Sequence, residues 1–191
     1  MAAKPGERKL QILQTLAEML QKPQGEKITT ASLAGKIGVS EAALYRHFAS
    51  KAQMFEGLIE FIEQSLFSVI NQITSEETEG FKQIELIIGL LLRFAQKNRG
   101  MTRVLIGEAL VNENDRLQTR INQLHDRLEA TLKQSLRLAT SQQEISADID
   151  AAAQANLMMS FVVGRWHQFA KSGFKREPME FWAAQGRALI R

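Results

Sequence analysis

The run YRHFASK, Tyr45 to Lys51, sets a phenol, a guanidinium, an imidazole and an ammonium within seven residues, with no carboxylate among them. Every one of these groups can donate a hydrogen bond, and Arg46 and Lys51 add fixed positive charge, so the run is suited to holding an anion. Catalysis would need something else. Histidine occurs only at 47, 125 and 167, with no HExxH spacing, and cysteine is absent. The chain also lacks G-x-x-x-x-G-K-[ST], G-x-G-x-x-G and G-x-S-x-G, the patterns that cradle phosphates or present a nucleophile. No enzyme activity, metal or cofactor is therefore expected.

Charge supports the anion reading. Residues 1–51 hold eight Lys and Arg against four Glu, whereas the remaining 140 residues hold 16 basic against 17 acidic side chains. A net charge of +3 on 191 residues is modest, but its excess lies wholly in the first quarter, as in a polyanion-binding head on a near-neutral body. The longest apolar run, Ile84 to Leu92, is broken by Glu85 and is too short to cross a bilayer. The charged N-terminus MAAKPGERK has no apolar run behind it. A cytoplasmic protein without a membrane partner is expected, and the missing cysteines agree with a reducing compartment.

The elements that must position the donors are all helical. Leu10, Ile12, Leu13, Leu16, Ala17, Met19 and Leu20 predict an amphipathic helix over 7–21, ended by KPQGEK. Thr29 or Thr30 offers an N-cap for a second helix that Gly38 stops, and Ser40 caps a third with Glu41 in its first turn. Ala34 and Gly38 provide the small crossing residue and the flexible turn of a helix-turn-helix, with Leu33, Ile37, Val39 and Leu44 as its apolar contacts. Further helices are expected from Ser50 to about Ile73, then at 81–98, 101–111, 114–138 and 148–171, and at 178–190 with Pro178 in its first turn. The fold class is all-α with about nine helices. On the fifth of these, Leu86, Leu90, Arg93 and Lys97 share one face, and Ile84, Ile87, Leu91 and Phe94 another. Such a helix is either buried twice or offers one face to a partner.

The octet LYRHFASK, placed after three short predicted helices and before a long helical body, resembles the TetR family of DNA-binding regulators. The resemblance implies a head at 1–51 and a dimerising, partner-binding body at 52–191. It also implies that Tyr45, His47 and Lys51 hold DNA phosphates, as do Thr29 and Thr30 at the entry to the second helix, while Phe48 closes the head's core. Ser40, Ala42 and Ala43 would then face the major groove with one hydroxyl and two methyls. Arg46 could grip guanine with two hydrogen bonds or bind phosphate instead. The implied partners are double-stranded DNA and a second copy of the chain, with one dimer or more per site. The helix AAAQANLMMSFVVGRWHQFAK, Ala151 to Lys171, is rich in small residues. It and the helix expected to hold Phe181 and Trp182 would make a four-helix dimer face, unless the former is an internal core helix.

A longer set of segments is similar to the nucleoid-occlusion branch of that family: ITTASLAGKIGVSEAALYRHFASK, LIEFIEQSL, GMTRVLIGEAL and DRLQTRINQLHDRLEATLKQ. Members of the branch bind scattered chromosomal sites and, while bound, antagonise the division polymer protein FtsZ. The resemblance implies that the FtsZ tail docks between the fourth and fifth helices, with Phe61, Leu90, Lys97 and Asn98 at matching positions. Arg93 joins them where the branch has a small residue, Val69 stands where a basic one is expected, and Arg99 replaces a proline before Gly100. The implied function is a DNA-bound inhibitor of division on the nucleoid. The alternative is a ligand-responsive repressor whose pocket Met158, Met159, Phe161 and Phe169 would line. The middle helices hold few convergent polar groups, so no small-molecule inducer is expected.

Overall fold

The computed structural model describes residues 5–22 and 28–190. Most of the KPQGEK break therefore lies outside the described residues. Within them the chain forms nine α-helices and one 3₁₀ turn, and no strand. No described helix is long and apolar enough to cross a membrane. The described residues form two compact units, one of those up to 62 together with 98–121 and the other of 63–97 and 122–190.

The first unit contains α1 (Pro5–Met19), α2 (Thr30–Ile37), α3 (Glu41–Tyr45), the first turns of α4 (Lys51–Glu76), α6 (Arg99–Leu105), the 3₁₀ turn Glu108–Leu110 and the start of α7 (Asp115–Ser141). On α1 and the turn after it the buried line is Ile12, Leu16 and Leu20 with Ala17, while Leu10 is 41% exposed. The apolar stripe is thus narrower than the sequence pattern suggests. Leu33 and Ala34 join it from α2, Leu44 from α3, Phe48 from the connection that follows, and Met54, Phe55, Leu58 and Ile59 from α4. At α6 every residue from Gly100 to Leu105 is buried. Its approach to α1 is close enough that a Cβ on Gly100 would stand 1.8 Å from the Ala17 carbonyl oxygen, so only glycine fits there. The helix ends at Leu105 rather than at 111. Gly107 turns left-handed at φ 75°, beyond which the chain tightens into the 3₁₀ turn.

The second unit holds the rest of α4, α5 (Gly80–Lys97), most of α7, α8 (Ala151–Lys171) and α9 (Trp182–Ile190). Leu124, Leu128, Leu132, Leu136 and Ala139 form the buried stripe of α7, at the three- and four-residue spacing of one helix face. The one polar residue in that line, Ser135, donates to the Gln83 side-chain oxygen at 2.8 Å, and the Gln83 amide donates to the Glu77 carbonyl at 2.8 Å. Their burial therefore leaves these groups satisfied. Residues past α7 cap the start of α5: the Gly80 N–H donates to the Gln142 side chain at 2.9 Å and the Phe81 N–H to the Glu144 carboxylate at 2.8 Å. Asp150 caps α8, accepting from the Ala153 and Ala152 amides, and these bonds hold its carboxyl below the usual carboxylate range.

The last helix departs from expectation. Arg165 on α8 donates to the carbonyls of Glu177, Pro178 and Glu180, and those acceptors curl into a turn around the guanidinium instead of a helical ladder. Phe181 then takes φ 66°, which a helix cannot accommodate. The helix consequently begins at Trp182, Pro178 is a turn residue, and Phe181 precedes the helix with its ring 63% exposed.

Candidate nucleic-acid interface

The head is built from side chains that serve their own backbone first. Thr29, not Thr30, is the N-cap of α2. Its hydroxyl accepts from the Ser32 N–H at 3.0 Å, while Ser32 returns the bond to the Thr29 N–H at 3.1 Å, forming a capping box. Gly38, at φ 78°, ends α2 by donating to the Ala34 carbonyl at 2.9 Å. Ser40 then caps α3 through the Ala43 N–H at 3.3 Å. Two caps separated by a left-handed glycine set the path between the helices; the residue types point to Ser40 directly and to Thr29 or Thr30, of which the structure selects Thr29.

Within this frame the structure brings some expected residues together. Tyr45 donates from its hydroxyl to Thr30 Oγ1 at 3.4 Å, and Thr30 donates in turn to the Glu41 carboxylate at 2.6 Å. This relay fixes the phenol at the seam of α2 and α3. Ser40, Ala42 and Arg46 are exposed, Ala43 and His47 are half-buried, and Phe48 is buried in the head core. Lys51 is placed differently. Its ammonium is ion-paired with the Glu113 carboxylate and sits 5.6 Å from the Phe55 ring centroid. Glu113 is 62 residues away in sequence, and nothing in the local pattern signals it.

The expected partner residues fall in both units. Phe61 on α4 and Asn98 at the N-cap of α6 are half-buried members of the first. Leu90, Arg93 and Lys97 lie on α5 in the second. On α5, Ile84, Ile87, Ile88, Leu91, Leu92 and Ala95 are buried and the Leu91 carbonyl accepts from the Trp166 indole at 3.2 Å, whereas Leu86 and Leu90 are half-buried and Arg93 and Lys97 exposed. One face is core, and the other borders α9, where Leu86 and Arg93 line a groove with Trp182, Gly186 and Ile190. The Arg93 guanidinium lies back over Gly89, with a terminal nitrogen 3.1 Å from where a Cβ would stand.

Residues 12–58 match the family described as bacterial regulatory proteins, tetR family, and residues 78–191 match the SlmA-like, tetracyclin repressor-like C-terminal domain. The nucleoid occlusion factor SlmA of Marinomonas sp. (strain MWYL1) is 49% identical over 189 residues, covering 99% of this chain and 96% of that protein. The SlmA of Alteromonas mediterranea is 52% identical over 187 residues, 96% of each chain. This chain belongs to the TetR family, with an SlmA-like C-terminal domain. As members of a family of DNA-binding regulators, TetR-type proteins are not enzymes, in agreement with the missing catalytic patterns. Solved TetR-family folds superpose along nearly the whole chain. A regulator from Agrobacterium tumefaciens does so with a TM-score of 0.81 at 16% identity, covering 97% of each chain. FadR from Bacillus halodurans gives 0.81 at 14%, covering 98% of this chain and 97% of its own. At such identities the likeness establishes the TetR fold alone.

Proposed function

We propose that this chain is a nucleoid-occlusion factor that binds dispersed chromosomal sites as a dimer and, while bound, antagonises FtsZ assembly over the nucleoid. The observation that carries this reading is the near-full-length similarity to relatives named nucleoid occlusion factor, which extends through the body as well as the head. The α5 face of Leu86, Leu90, Arg93 and Lys97 supports it, offering two half-buried leucines and two exposed cations beside α9 to a peptide tail. Val69, 37% exposed on α4, contributes no cation there, whereas Arg93 adds one. Of the side chains a ligand pocket would need, Met158, Met159 and Phe169 are packed in the core and Phe161 is half-buried beside Trp182, and this weighs against the repressor reading. Mapping occupied sites across the genome tests the proposal. Many scattered sites that spare one chromosomal region are expected, and occupancy confined to a few promoters would instead mark a local repressor.

On the head, Thr29, Thr30, Tyr45, His47 and Lys51 take phosphates, and Ser40, Ala42, Ala43 and Arg46 face the groove. Tyr45→Ala is expected to weaken all sequences alike, since phosphate contacts carry no sequence information. Arg46→Ala is expected to cost about 1–3 kcal/mol at preferred sites and to flatten preference at one position. Binding isotherms on a panel of duplexes check this, and uniform loss from both variants would show Arg46 to be a phosphate contact.

The dimer forms through the outer face of α8 and through α9. Ala153, Asn156, Leu157, Ser160, Gly164 and His167 are exposed along α8 opposite its buried Met158, Val162 and Trp166. A Cβ on Gly164 would meet nothing within 4 Å in the single chain. Gly164→Leu is therefore expected to leave the monomer's fold intact while disrupting close helix approach between subunits. Sedimentation should show dissociation, and an unchanged dimer would place the interface elsewhere.

A further inference from the structure

Lys51 is the last residue of the donor-rich run and the first of α4. Its ammonium is engaged by the Glu113 carboxylate, and the two side chains are only 24% and 15% exposed. Glu113 is itself fixed, since its N–H donates to the Leu110 carbonyl at 2.9 Å, and its neighbour Asn114 caps α7 through the Arg116 N–H at 3.0 Å. Two further links join the same elements: the Arg116 guanidinium approaches the Glu56 carboxylate at 4.0 Å, and Arg120 reaches the Glu56 carbonyl at 3.5 Å. The connection before α7 is thus stapled to the first turns of α4. An ion pair this shielded from water is screened less by salt than an exposed one, and an incoming phosphate meets a neutral pair rather than a free cation.

We propose that Glu113 sets the DNA affinity of the head by holding Lys51 in an internal ion pair that a backbone phosphate must displace. The inference rests on the reading that Lys51 takes a phosphate. Glu113 is then a positioning residue, competing with DNA for the same ammonium. Displacement frees the carboxylate and removes one of the three links between the α7 region and α4, leaving those through Glu56 in place. By linkage, whatever strengthens the pair opposes DNA binding, and bound DNA weakens the pair to the same degree.

The test measures binding of the full-length protein to a labelled duplex of mixed sequence across a salt series, because phosphate contacts are read on any sequence. The variants are Glu113→Gln, Lys51→Met and the double substitution, with Glu56→Gln as a control for removing a nearby acid. Thermal melts confirm that each folds, and Lys51→Gln replaces Lys51→Met if the latter does not. Glu113→Gln is expected to bind about 3- to 10-fold tighter than the parent. That gain should vanish in the Lys51 background, so that losing Lys51 costs more without Glu113 than with it. An unchanged or weakened Glu113→Gln overturns the inference. So does a gain that survives loss of Lys51 or is matched by Glu56→Gln, since either would show plain repulsion of DNA by an acid. If the parent itself shows no salt-dependent binding, the DNA reading falls first and takes this inference with it.

Discussion

Gly100→Ala is expected to unfold the first unit or leave it only marginally stable. The new Cβ would lie 1.8 Å from the Ala17 carbonyl oxygen, 2.8 Å from its carbon and 3.2 Å from Leu20 Cβ. The first two are backbone atoms inside α1, so no side-chain rotation relieves the clash and one helix must move bodily. Overpacking a core costs about 1–3 kcal/mol when side chains can adjust, and here the cost should reach or exceed the top of that range. For a chain of this size, about 3 kcal/mol lowers the melting temperature by roughly 6–12 °C. Circular dichroism on heating measures it, and a melting temperature equal to the parent's would contradict the close approach of α1 and α6.

The largest effect in the second unit is expected from Trp166→Ala, at about 3–5 kcal/mol. Trp166 is the largest fully buried side chain of α8, donates its indole N–H to the Leu91 carbonyl at 3.2 Å and lies tilted by 50° with its ring centroid 5.8 Å from that of His125. Its removal leaves a void between α5 and α8 that neighbouring leucines cannot close without leaving their rotamers. Trp166→Phe keeps most of the volume but loses the hydrogen bond, and should cost about 1–3 kcal/mol. Denaturant titration separates the two. Equal, small effects from both would mean that the indole is not the keystone its burial indicates.

How far the sequence alone determines these features depends on how local their causes are. The head was legible because its decisive residues act within a few positions of themselves: Thr29 and Ser40 cap the helices they begin, and Gly38 ends the one it follows. The two faces of α5 were also legible, since burial follows helical spacing, although the pattern left open whether the second face was covered. Three features depended on distant contacts and so were not visible. Pro178 carries an ordinary helix-start signal, yet Arg165 draws the carbonyls of Glu177, Pro178 and Glu180 into a turn. The chain from Leu105 to Val111 reads as the rest of its helix, whereas Gly107 turns left-handed beside the Gln118 side chain and the helix stops at Leu105. Lys51 reads as a free cation, and its Glu113 partner is supplied by folding alone.

Under the proposed function the head sets where the protein sits, and the α5 face of Leu90 and Lys97 sets what it does there. The most direct measurement is therefore binding of a labelled FtsZ C-terminal tail to the full-length protein, with and without a duplex recovered from an occupied genomic site. The expected result is tail binding that strengthens when the duplex is present and is lost in Leu90→Glu, while that variant keeps its DNA affinity. A DNA-bound protein that leaves the FtsZ tail unbound would contradict the account.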